Sequence, residues 1–185
     1  DSDEAEELGV ELYGALRNAD VAEVRRALGA GADPNLHAPP HDATVPPLVY
    51  FCATAIGSDK DEGAMEACLA ALLESGASPN PIPGQPEPIR SPLYFAAQQD
   101  RFPELVSLLI EAGADVNIAM IHAEGESYSF HNATPLHMAV YQGTVRMVKE
   151  LLAAGAAVDA RRGPRQCTAL HEAANCGRNG YPIGG

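Results

Sequence analysis

With 185 residues, 46% of them apolar and 20% charged, the chain holds enough hydrophobic material for one folded, soluble domain and is excluded from the disordered class. No run of about 18 apolar residues occurs, which excludes a membrane-spanning helix. Its 12 basic and 25 acidic side chains leave a net charge of −13, which repels phosphate backbones, so nucleic acid is excluded as an expected partner.

In chain order, the first predicted helix pair covers residues 8–35. Six carboxylates (Asp1, Asp3, Glu4, Glu6, Glu7 and Glu11) precede or open it, which suits a helix N-terminus, a solvated face, or the steering of a basic partner. The pair stops at Gly31-Ala32-Asp33 and continues into Pro34-Asn35. A second pair, residues 46–80, starts at Pro47-Leu48, carries Leu69, Leu72 and Leu73 in its second helix, and stops at Gly76-Ala77-Ser78. Extra residues near 57–62 lengthen the loop between its two helices. The third pair, residues 91–117, runs from Ser91-Pro92-Leu93-Tyr94 through Leu105, Val106, Leu108 and Leu109 to Gly113-Ala114-Asp115-Val116-Asn117. Its inter-helix turn is one residue longer than that of the fourth pair.

The fourth pair, residues 134–160, shows the local chemistry most plainly. Thr134 is a helix N-cap and Pro135 takes the first helical position, where its missing N–H is no loss. Gly143 supplies the left-handed residue that ends the first helix. Val145, Val148, Leu151 and Leu152 then recur at helical spacing until Gly155. A partial fifth unit, residues 168–180, begins with Thr168-Ala169-Leu170-His171 and Gly177 but has no second helix, which leaves the apolar side of the fourth unit poorly covered. Thr134 and Thr168, His137 and His171, Ala139 and Ala173, and Gly143 and Gly177 are each 34 positions apart. A period of this size marks stacked supersecondary units that bury apolar stripes against their neighbours.

These residues resemble the ankyrin repeat family, whose signature of Thr-Pro-Leu-His, Ala-Ala, Gly, a Val/Leu-rich second helix and Gly-Ala-Asp-Val-Asn is matched almost throughout by residues 134–159. The resemblance implies an all-α fold, a solenoid of stacked helix-turn-helix units joined by extended turns or hairpin fingers, with residues 1–185 as a single repeat domain. Residues 12–35 lack the Thr-Pro start and carry Glu11, Arg17 and Asn18, as a polar N-terminal cap should. In this family partners are gripped by the fingers and by the exposed side of the first helices.

Three connectors depart from the short consensus. Residues 36–45 contain His37, Pro39-Pro40 and His41; residues 80–90 contain Pro81, Pro83, Pro86 and Pro88, which stiffen an extended segment. Residues 118–133 switch to two-fold alternation around Glu124-Gly125, which predicts a β-hairpin carrying Met120 and, on one face, Tyr128 and Phe130. Aromatics at a projecting tip make good anchors for a partner; the competing reading folds Phe130 and Ile121 back over their own repeat. On the first helices the variable positions are Gln98, Gln99, Tyr141, Gln142, Asn175 and Cys176. The expected partner-binding set is therefore Gln98, Gln99, Met120, Tyr128, Phe130, Tyr141 and Gln142.

No catalytic or metal-binding residues and no cofactor are expected. His171-Glu172-Ala173-Ala174-Asn175 imitates a zinc-protease helix but lacks its second histidine. No phosphate-binding loop, dinucleotide motif or nucleophile elbow occurs. Cys52, Cys68, Cys167 and Cys176 are too scattered for metal chemistry and too few for a disulfide framework, and read as buried thiols of a reducing compartment. The expected setting is intracellular, cytoplasmic or nuclear; because the chain starts at Asp1, an organelle reached after loss of a targeting segment is the alternative. The expected function is a protein-protein interaction scaffold or adaptor, or a subunit of a large multiprotein complex, with no enzymatic activity. The alternative is a targeting domain of a longer enzyme.

Overall fold

The computed structural model describes residues 2–36, 45–55, 59–82, 91–99, 101–121 and 132–176. Among them the regular structure is helical, apart from two isolated antiparallel bridges, Met120 with Ala133 and Arg162 with Cys167. The chain divides into two compact units, Asp1–Pro79 and Asn80–Gly185.

The first unit holds α1 (Ser2–Asn18), α2 (Val21–Gly29), α3 (Pro47–Thr54) and α4 (Glu62–Glu74). The acidic start is thus helix, with Glu4, Glu6 and Glu7 exposed along it. Asp20 caps α2 by accepting from the Ala22 and Glu23 N–H groups, both at 3.1 Å. Asp61 does the same for α4 through Ala64, at 2.9 Å, so the longer inter-helix loop ends where a carboxylate can satisfy an orphan donor. α1 packs on α2 and α3, and α2 and α3 pack on α4. Leu12, Leu16, Phe51, Met65 and Leu72 are fully buried there. Tyr13 closes this core with an edge-on contact to Tyr50 and a hydrogen bond from its hydroxyl to the Val45 carbonyl at 2.6 Å.

The second unit holds α5 (Pro92–Ala96), α6 (Pro103–Glu111), α7 (Pro135–Gln142), α8 (Val145–Ala153) and α9 (Ala169–Cys176). α5 packs on α6 and α7, α6 on α8, and α7 on α8 and α9. Leu93, Phe102, Leu105, Leu109, Leu136 and Leu151 form its interior.

One construction ends the second helix of successive pairs. Gly76, Gly113 and Gly155 have φ of 88°, 88° and 89°, a region that side chains with a Cβ rarely occupy. The next residue then bonds back five positions, Ala77 to Leu72, Ala114 to Leu109 and Ala156 to Leu151, at 2.9 to 3.0 Å, satisfying carbonyls that the helix leaves open. An asparagine from the preceding pair fills the same turn. Asn80 Nδ2 donates to the Gly113 carbonyl (3.0 Å) while its Oδ1 accepts from Asp115 N–H (2.7 Å). Asn35 repeats this on Gly76 and Ser78, and Asn117 on Gly155 and Ala157. The Gly-Ala-x and x-Asn signals recur in sequence because one pair's Asn needs the next pair's turn.

Candidate functional site

The exposed end of α7 is the best-defined part of the predicted surface. Thr134-Pro135 starts this helix, Leu136 to Ala139 are buried, and Gly143, at φ 78°, ends it just after Tyr141 and Gln142. Tyr141 is 44% exposed and Gln142 is exposed. A large aromatic with two rotatable bonds at the rim of a packed helix can bury area on a partner at little entropic expense.

The other expected residues divide. Gln98 is half-buried in the turn after α5, beside Tyr94. Gln99 is only 5% exposed, which corrects the expectation that it lines an open face. The cause is local: α5 stops at Ala96, and Gln98 and Gln99 continue through i→i+3 bonds to Phe95 and Ala96 (3.1 and 3.2 Å). That tighter winding carries Gln99 away from the direction that Gln142 takes on the longer α7. Met120 is also buried, at 4%, a second correction. It sits in the bridge that closes the base of the third connector, its N–H donating to Ala133 O at 2.8 Å and its carbonyl accepting from Asn132 at 2.9 Å. Its side chain faces its own fold. Tyr128 and Phe130, with the interior of the expected hairpin, lie outside the described residues, as do most of the first and second fingers.

Behind α7 lies a buried polar cluster. His137 Nδ1 accepts from the Thr134 N–H at 3.2 Å and stands 2.9 Å from the Thr134 hydroxyl, while Nε2 donates to the Cys167 carbonyl at 3.2 Å. This pattern requires the proton on Nε2. Burial holds His137 below the ordinary histidine range, against the opposing pull of the Cys167 carbonyl. Nearby, Arg162 and Glu172 form an ion pair at 2.6 Å, both largely buried. Burial likewise raises the Tyr94 phenol above its ordinary range, a shift that the Gln98 hydrogen bond opposes. The His171-Glu172 pair is thus explained without a metal: His171 Nδ1 accepts from Thr168 N–H and Glu172 holds Arg162.

The arrangement fixes helix ends and turns, the Thr134 and Thr168 hydroxyls lying 2.9 and 2.7 Å from Nδ1 of His137 and His171. Cys52 and Cys68 are buried, as expected for inert thiols, and burial pushes them up to about 12 and about 11. Sequence reasoning missed the Arg162–Glu172 pair, which no spacing rule connects. It also did not name Val145, Leu152, Val158 and Leu170 as exposed. No sequence signal finds them, since Leu170 holds the same repeat position as the buried Leu136.

A model of ankyrin repeats in three copies matches residues 118–181, and a model of a single ankyrin repeat matches residues 90–120. No curated protein matches the chain significantly.

Proposed function

Because the chain is an ankyrin repeat protein, we propose that it is a non-catalytic binding module whose residues 1–185 act as one repeat domain and hold another protein through the exposed end of α7 and the enlarged connectors. Ankyrin repeats are in general protein-protein interaction modules. The observation that carries the reading is Tyr141, exposed with Gln142 on a helix whose remaining face is packed and whose ends are capped. Preorganised side chains of this kind lose little entropy on binding. Gln98, Tyr128 and Phe130 complete the proposed surface, whereas Gln99 and Met120 support it from inside. The partner is a protein rather than a nucleic acid, in keeping with the acidic composition, and the setting is intracellular, as an adaptor or as a subunit of a larger assembly. Among the described residues, no helix is long and apolar enough to cross a membrane.

The test replaces Tyr141 with a photo-crosslinking phenylalanine, illuminates the native extract, and identifies the captured protein by mass. Y141A and Q142A should then weaken binding of that protein, purified, by about tenfold or more for the tyrosine. Unchanged affinity in both variants would reject the surface. Deleting residues 121–131 separates the two settings: an adaptor loses one interaction, a subunit destabilises the assembly.

A further inference from the structure

Three of the chain's 12 basic residues, Arg161, Arg162 and Arg165, stand within five positions of a chain whose net charge is −13. They lie on the connector between α8 and α9, which is too short to stand out by length. The Arg162 N–H donates to the Cys167 carbonyl at 2.9 Å and the Cys167 N–H donates back to the Arg162 carbonyl at 3.0 Å, so a bridge closes a tip made of residues 163–166. With Gly113 aligned on Gly155, Met120 and Ala133 make the corresponding bridge in the preceding connector.

The tip is held from within. Gly163 has φ 60°, and the ring of Pro164 fixes the next φ. Gln166 takes φ 53°, uncommon for a residue with a Cβ. Two bonds to the Gly163 carbonyl keep it there, one from its backbone N–H at 3.2 Å and one from its side-chain Nε2 at 3.1 Å. At the base, Arg162 turns inward to Glu172 and leaves 11% of its side chain in water. Successive residues of an extended arm face opposite sides, so Arg161 turns outward. Arg161 and Arg165 are exposed, and neither has an ion-pair partner among the described residues. Ala119 holds the place of Arg161 in the preceding connector and remains partly exposed with α7 and α8 following it, so this position stays open to water within a continuous stack.

We propose that this connector is a binding site for a short acidic peptide of another protein, whose carboxylates pair with the Arg161 and Arg165 guanidinium groups. A guanidinium presents a planar fork of donors that meets a carboxylate with two parallel hydrogen bonds. A tip fixed beforehand has little left to order when it grips a ligand. Charge limits the size of that ligand. A nucleic acid strand or an anionic bilayer would bring many charges within a Debye length, about 8–10 Å, of the acidic groups around the tip, exposed Asp159 among them. A peptide of a few residues confines its charge to the two arginines. The site shares no residue with the surface of Tyr141 and Gln142, so it goes beyond the function proposed above and adds a second contact to it.

The probe is fluorescein-labelled hexaglutamate, titrated into the whole chain and followed by anisotropy and by backbone amide shifts. Binding should saturate, shift amides only within residues 160–167, and weaken at least about tenfold as sodium chloride rises from about 0.05 to about 0.5 M. R161A/R165A should weaken it by at least about tenfold and R161K/R165K by about threefold, since an ammonium keeps the charge but not the fork. P164G retains every charge while loosening the tip, and should cost about threefold. Arg161 and Arg165 are exposed, so both arginine variants should unfold at the wild-type temperature. Y141A should leave probe binding unchanged even where it abolishes the partner captured at Tyr141, so the two readings fail separately. Binding that does not saturate, shifts elsewhere, or affinity indifferent to R161A/R165A or to P164G overturns the proposal. Tighter binding to phosphatidylserine vesicles than to hexaglutamate would assign the tip to a bilayer, and self-association lost in R161A/R165A would assign it to a second copy; either result overturns it as well.

Discussion

Arg162 and Glu172 lie 2.6 Å apart with little of either side chain in water, tying the turn after α8 to α9. Removing one partner leaves the other charge buried and unpaired, so E172A should destabilise the second unit by about 3 kcal/mol. The double variant R162M/E172L should lie within about 1 kcal/mol of wild type, since apolar replacement removes the desolvation penalty together with the attraction. Urea unfolding of the two variants checks this. Equal losses in both would show that the pair stabilises by attraction in its own right.

His137 makes stability depend on pH. Its folded pKa is lowered chiefly by burial, so the folded state resists protonation that the unfolded chain accepts. The contribution is complete above about pH 6.5, the unfolded value, and is lost as the pH falls through the folded one. Protonation would also cancel the acceptor on Nδ1 that holds the Thr134 N–H. Unfolding free energy measured at pH 7.5 and 5.5 should fall more for wild type than for H137Q; parallel losses would remove His137 from the account.

Asn80 grips the following turn with both ends of its amide. N80A should cost about 1–2 kcal/mol, the net loss of two exposed hydrogen bonds. N80D should cost less, because a carboxylate oxygen still accepts from the Asp115 N–H. The same order is expected for Asn117 on Gly155 and Ala157. Thermal denaturation of the four variants decides, and an aspartate as damaging as alanine would contradict the assignment.

Cys52 and Cys68 should be inert in the folded protein. With their thiols raised to about 12 and about 11 by burial, almost no thiolate is present at pH 8, and access is closed. Brief alkylation followed by peptide mapping should modify half-buried Cys167 well before either. Early labelling of Cys68 would mean that α4 opens locally.

Much of the fold was legible because its signals are local. Pro47, Pro92 and Pro135 at first helical positions, the glycines that need φ near 88°, and the 34-residue step between Thr134 and Thr168 each report the conformation of a few neighbouring residues. The candidate surface was legible only in part. Tyr141 and Gln142 are exposed as expected, since Gly143 ends α7 just beyond them. Gln99 failed because one additional residue in the turn after α5 changed its winding, and Met120 because a bridge to Ala133 turned the base of the connector inward.

By itself the amino-acid order determined where helices begin and stop, which residues form their apolar stripes, and that the pairs repeat, since capping, left-handed glycine and 3.6-residue periodicity act within a few positions. Tertiary structure alone decided which stripes are covered. Leu136 and Leu170 hold the same place in the repeat, yet one is buried and the other stands in water. Burial is a property of what packs against a side chain, and that neighbour comes from a different helix pair.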